Sequence, residues 1–283
     1  MNAAARTTTR PLSPAPAGTA APSLMRVSVS RARLDLVELL RDREATFFVL
    51  AFPVMLLVLF GSIFRETISG TGVEASQVMA SGIIASGIMS VSFVSLAISI
   101  AYERDLGVLL RYRATPMPPA AYFLGKTLFV LVTAVAETVV LLAVAVTLYD
   151  LDLPSTPDRW AMFAAVFLLG TASGSVLGVA VSSVPKNAKN ANAIVQAPFI
   201  FLQFISGVYL LFSDVPPVLQ QVAALFPLKW MTQGLRSVFL PDSWQVMEPA
   251  GSWERPLVLV VLAAWTVGGL VLCRMTFRWS RSR

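Results

Sequence analysis

Residues 122–148 read YFLGKTLFVLVTAVAETVVLLAVAVTL. After Lys126 the only charged residue before Asp150 is Glu137, and neither proline nor glycine interrupts that run. A helix this apolar has no face to offer water. The hydrocarbon core of a bilayer takes about 20 such residues as one span. A helix also satisfies every backbone N–H and C=O within itself, which lipid requires. The stretch therefore reads as a transmembrane α-helix.

Working outward, five further segments share its character: Phe47–Phe64, Gln77–Ala101, Trp160–Val184, Ile194–Phe212 and Pro256–Cys273. Of the 283 residues 56% are hydrophobic and 13% charged, where a soluble domain carries about 25% charged residues. Between the fifth and sixth segments lie two shorter amphipathic pieces, Val218–Phe226 and Trp230–Phe239, separated by Pro227. Neither is long enough to span, so both are expected as re-entrant or surface helices. Before the first span, Val27 to Arg43 has Val29, Ala32, Leu36, Leu39 and Leu40 on one helical face and Arg31, Asp35, Glu38 and Asp42 on another. That pattern suits a helix lying along the membrane surface. The fold expected is an all-α integral membrane protein with six transmembrane helices, an N-terminal amphipathic interfacial helix and short external re-entrant helices. Its parts are a disordered tail (1–26), the amphipathic helix (27–46), the six-span domain (47–274) and a basic tail (275–283).

Basic residues orient the bundle. Those before the first span, around Arg104 to Lys126, at Lys186 and Lys189, and from Arg274 onward fall on one side. Arg65, Arg159, Lys229, Arg236 and Arg255 fall on the other. The richer side is the cytoplasmic one, which puts both termini inside and requires an even number of spans. The formal charge of +6 thus reflects topology, and no nucleic-acid partner is expected.

Chemistry is sparse. Histidine is absent and Cys273 is the only cysteine, which removes disulfides, Cys/His metal sites and histidine acid–base catalysis. Gly125-Lys126-Thr127 resembles the end of a phosphate-binding loop, but Ala120 stands where the upstream glycine must be. No nucleotide, cofactor or metal is expected on this chain. Glu137 is a carboxyl at bilayer depth, where such groups are costly. It reads as a gate, a substrate contact or a proton-linked residue, or else as a protonated acid bonded to a neighbouring helix. Gln196, Phe199 and Gln203 share a face that either lines a pathway or packs. Gly170, Gly174 and Gly178 form a small-residue stripe for close helix packing, within one subunit or between two. Pro53 and Pro198 should kink their helices.

The connection after the second span, Glu103-Arg104-Asp105-Leu106-Gly107-Val108-Leu109-Leu110-Arg111-Tyr112-Arg113, is charged at its ends and apolar in its middle. Its leucines suit either a partner surface or the lipid interface.

Several of these stretches resemble the ABC-2 type permeases, the membrane subunits of ATP-binding-cassette exporters, including the daunorubicin-resistance permeases. They are Arg41-Asp42-Arg43 with Phe47, Phe48 and Pro53; Glu103…Gly107…Leu110-Arg111…Ala114-Thr115-Pro116…Gly125-Lys126; Ser206-Gly207-Val208-Tyr209; and Phe226-Pro227-Leu228…Gly234-Leu235-Arg236. The resemblance implies a permease that pairs with a second copy or a paralogue in a bacterial plasma membrane. A separate ABC ATPase subunit would hold ATP and Mg, and the cargo would be a hydrophobic or amphiphilic compound such as a drug or a lipid-like compound. It further implies a coupling helix (Glu103, Arg104, Leu106, Gly107, Leu109, Leu110, Arg111, Arg113) docked on the ATPase. Beside it would lie a connecting helix (Leu36, Leu39, Leu40, Arg41, Asp42). A secondary transporter or channel working without ATP is the main rival. It calls for paired intramembrane charges or inverted repeats. A membrane-embedded enzyme would need a cluster of catalytic side chains that the spans lack.

Overall fold

The computed structural model describes residues 23–68, 70–115 and 118–277. Most of the expected N-terminal tail, Pro116 and Met117 of the connection after Arg113, and the basic C-terminal end from Arg278 lie outside the described residues.

Helix α1 (Leu24–Arg41) leads through Asp42 into α2 (Arg43–Ile63). The chain turns there because Asp42 is extended, and its Oδ1 accepts the free N–H groups of Glu44 and Ala45, each at 3.0 Å. Ahead of Pro53, residues Phe47–Ala51 are wound as a π-turn. Proline lacks the N–H and crowds the preceding turn, so the ladder loosens there. A short antiparallel hairpin, β1 (Thr67–Ile68) with β2 (Val73–Glu74), reaches α3 (Ala75–Asp105). Then come α4 (Val108–Arg113), α5 (Pro119–Tyr149), α6 (Pro157–Val181), α7 (Ala188–Ile205), α8 (Pro217–Ala224), α9 (Pro227–Phe239) and α10 (Arg255–Thr276). Pro119, Pro157, Pro217 and Pro227 each open a helix at its first position, where the missing N–H costs nothing.

Five helices among the described residues, α2, α3, α5, α6 and α10, are long and apolar enough to cross a membrane. The expected fifth segment differs. It is helical from Ala188, six residues before the expected start, and it stops at Ile205 rather than Phe212. Its 18 residues reach about 27 Å, just short of a core of about 30 Å. Lys189, Asn190 and Asn192 make its first turns polar. Its end is set by Gly207, whose φ of 75° leaves helical space.

α3 is the central pillar, with 72% of its most apolar stretch buried, against 17% for α2 and for α10. α6 lies along α10, and α9 wedges between α3 and α6. The second short piece, expected as a surface or re-entrant helix, lies within α9 (Pro227–Phe239). In the structure all 13 residues of α9 are buried within the chain's own bundle.

Two local expectations are corrected. Residues 103–113 do not form one helix. α3 runs to Asp105, Gly107 takes φ 71°, and α4 starts at Val108. The faces of α1 also differ from the periodic reading. Ser28, Ala32 and Asp35 are its buried residues, with Leu36 and Leu39 half-buried, while Val29 and Leu40 are 52% and 65% exposed. Arg31 and Asp35 turn inward because α3 and α5 present countercharges to them.

Candidate functional site

The countercharges form one cluster where α1, α4, the end of α3 and the start of α5 meet. Arg31 of α1 bonds Asp35 Oδ1 one turn on at 2.8 Å and also pairs with Glu103 of α3. Lys126 of α5 places Nζ 2.7 Å from Glu103 Oε1, 3.2 Å from Asp35 Oδ2 and 2.8 Å from Ser99 Oγ. The Tyr122 hydroxyl donates to Glu103 Oε2 at 2.8 Å, and Arg31 donates to the Tyr112 oxygen of α4. The Arg31 guanidinium also lies 4.9 Å from the Tyr112 ring centre.

Two cations face two carboxylates, so the cluster is neutral. The side chains are only 3–13% exposed. Burial pushes the Asp35 carboxyl up, against the pull of Lys126 and Arg31. Burial alone would lower Arg31, but Glu103 and Asp35 outweigh it and the net direction is up. Removing one member of a buried set like this costs about 3–5 kcal/mol, because the survivor is left uncompensated.

Gly125 makes the cluster possible. A Cβ there would fall 2.9 Å from Arg31 Cβ and Cγ and 3.1 Å from the Ser28 carbonyl. Only glycine lets α1 settle against α5 closely enough for Arg31 and Asp35 to reach Glu103 and Lys126. The Gly125-Lys126 pair that imitates a phosphate loop is thus a packing and charge device.

Of the expected coupling residues, Glu103 and Arg104 end α3. Arg104 is buried and donates to the Pro185 carbonyl at 2.9 Å. Asp105 Oδ2 accepts the Ala188 N–H at 2.9 Å, which ties α3 to the start of α7. Leu109 is fully buried, whereas Leu106 and Leu110 are 67% and 48% exposed beside exposed Arg111 and Arg113. Arg41 and Asp42 form the α1–α2 junction.

The candidate pathway residues separate into two places around α3. Gln203 donates to Ser86 Oγ, and Phe199 lies 6.2 Å from Phe93; Gln196 is half-buried on the same helix. Glu137 sits on α5 against Gly87. In the glycine stripe, Gly170 faces Met231 of α9, while Gly174 and Gly178 face Ser92 and the Phe93 carbonyl. Those two partners belong to the π-wound turn Ser90–Ser95 of α3.

At the other end of the bundle, Arg236 of α9 bonds Glu248 Oε1 at 3.1 Å and donates to the Gly207 carbonyl. Thr232 Oγ1 donates to the Ser206 carbonyl at 2.9 Å. The 206–209 and 234–236 motifs therefore meet in space. Periodicity missed Arg31, Asp35, Tyr112, Tyr122 and Lys126. Two signals could have exposed them: the i,i+4 spacing of Arg31 and Asp35, and a lysine beside a glycine at the start of a span.

The fold and this cluster define a multi-pass α-helical membrane protein with helix connections braced by buried charge. Residues 29–240 match the ABC-2 type transporter family, and the chain belongs to that family. It is a membrane transport component of the kind that serves as a permease subunit of an ABC transporter. No curated protein sequence matches the chain.

Proposed function

We propose that the chain is the permease of an ATP-binding-cassette exporter in a bacterial plasma membrane. Both termini are cytoplasmic, and α7 serves as the fifth of six spans. It pairs with a second permease copy or a paralogue, and a separate ATPase subunit carries ATP and Mg. The cargo is a hydrophobic or amphiphilic compound, as in the daunorubicin-resistance permeases.

The observation that carries this reading is the neutral cluster of Arg31, Asp35, Glu103 and Lys126. It joins α1, the end of α3 and α5, while Tyr112 adds α4. Force applied to the exposed Leu106 and Leu110 would reach three helices as one body. An ATPase closing on nucleotide would then shift the bundle between two packings with different affinity for cargo.

The test is co-purification with a stand-alone ABC ATPase. Leu106→Asp with Leu110→Asp should abolish co-purification while the permease stays folded, since both side chains are exposed. Undiminished assembly would remove α4 as the docking element.

A further inference from the structure

Glu137 stands near the middle of α5 and is 1% exposed. Its carboxyl is pressed on α3. An added Cβ at Gly87 would stand 2.6 Å from Oε1 and 3.0 Å from the carboxyl carbon. Neither carboxyl oxygen has a hydrogen-bond partner among the described residues. The residues of α3 beside Gly87 include Ile83, Ile84 and Ile88, all buried, and none of these side chains can donate a hydrogen bond. An ionised carboxylate there would cost several kcal/mol. A protonated one only leaves hydrogen bonds unmade, a cost of about 1–3 kcal/mol. The contact between α3 and α5 therefore requires the proton.

Among the described residues, no charge on the helices packed against α5 pairs with Glu137. Lys126 lies roughly 16 Å back along α5, held by Asp35 and Glu103, and Asp150 lies roughly 20 Å on. On α3, Glu103, Arg104 and Asp105 begin roughly 24 Å from Gly87, and Glu74 precedes the helix by roughly 20 Å. Arg31 is engaged with Asp35 and Glu103, while Arg26, Arg33, Glu38 and Arg41 of α1 are exposed. Arg43 and Glu44 of α2 and Asp158 of α6 are exposed in the first turns of those helices, and Arg159 pairs with Asp242. Tyr112 and Tyr122 belong to the charge cluster, the Tyr149 hydroxyl donates to the Val58 carbonyl at 3.0 Å, and Tyr209 stacks on Phe60.

We propose that Glu137 is a proton-held latch between α3 and α5. With its proton in place the helices close on each other at Gly87. When the O–H bond breaks and the proton passes to water, the carboxylate must be hydrated, and hydration parts the helices. The closed packing thus carries one proton more than the parted one. Raising the pH above the ordinary glutamate value of about 4.3 shifts the balance towards the parted state, by up to about tenfold per pH unit. The use of a second packing rests on the permease reading, but the proton linkage needs no ATPase.

The test compares the full wild-type chain with Glu137→Gln in phosphatidylcholine nanodiscs from about pH 5 to about pH 9. Glutamine keeps the shape and stays neutral. Difference infrared spectra between the two chains isolate the carboxylic-acid C=O band of Glu137. Amide hydrogen exchange along α3 around Gly87, taken relative to the chemical rate, reports the parting. In the wild type the band should disappear as pH rises, and exchange should climb over the same range by up to about tenfold per pH unit. In Glu137→Gln exchange should stay flat. Where α6 lies along α10, away from the contact, it should stay flat in both chains. Loss of the band without faster exchange would show that the closed contact tolerates the ionised group, and overturns the latch. A persistent band with pH-independent exchange, an equal rise in Glu137→Gln, or an equal rise between α6 and α10 overturns it as well. Failure of the permease reading shows separately, as failure to assemble with an ABC ATPase.

Discussion

Replacing Lys126 with methionine tests the charge cluster most sharply. Lys126 Nζ holds both carboxylates, Glu103 at 2.7 Å and Asp35 at 3.2 Å, and is itself only 3% exposed. Methionine keeps most of the side-chain volume and removes the charge. Asp35 and Glu103 are then left to share Arg31, and the site carries an uncompensated negative charge. The expected cost is about 3–5 kcal/mol. The double variant Asp35→Asn with Lys126→Met restores neutrality, with Arg31 against Glu103. It should therefore be more stable than the single variant by about 2 kcal/mol, the size of coupling found within one charge network. Denaturant unfolding in mixed micelles gives the global figure. Amide hydrogen exchange along α1 gives the local one, where protection should fall by about a hundredfold or more. Asp242→Asn is the control, since its pair with Arg159 is 65% exposed on the aspartate side and should cost about 0–1 kcal/mol. If Lys126→Met lies within about 1 kcal/mol of wild type and the double variant is simply additive, the cluster does not brace the helices.

Further outcomes follow from the same geometry. Gly125→Ala drives a methyl into the Arg31 stem and the Ser28 carbonyl; it should cost about 1–3 kcal/mol and raise exchange in α1. Leu109→Ala should cost about 2–5 kcal/mol as a core truncation, while Leu106→Ala, 67% exposed, should stay within about 0.5 kcal/mol; a melting series compares them. Arg236→Met strands Glu248, which is 2% exposed, and should destabilise by about 3–5 kcal/mol in the same unfolding assay. Asp35 is raised by burial, so the folded state holds its proton more tightly than the unfolded chain. Its contribution to stability should fall as pH rises from the ordinary aspartate value of about 3.9 through the raised one, and Asp35→Asn should lack that fall.

Span positions were legible because apolar length is a local property. α5, α6 and α10 begin and end within three residues of the limits read from Tyr122–Leu148, Trp160–Val184 and Pro256–Cys273. The boundary of α7 was less legible. An apolar run continues through Val208 and Leu211, and only the left-handed Gly207 stops the helix. The inward turn of Arg31 and Asp35 could not be read from α1 alone. Periodicity assigns charged residues to water, and the countercharges that overrule it lie 72 residues away at Glu103 and on another helix at Lys126. Leu109 looked like its neighbours Leu106 and Leu110 for the same reason, since the break at Gly107 turns it into the core. Family motifs carried what periodicity could not: Glu103 with Lys126 and Gly207 with Arg236 are each spread along the chain and paired in the fold.

The central claim is that this chain moves cargo only when a separate ATPase drives it. The direct measurement is ATP-dependent transport in proteoliposomes holding the purified chain, with and without a partner ABC ATPase subunit. The account predicts nucleotide-driven transport only when both are present. Brisk ATP hydrolysis and pumping by the permease alone would contradict it.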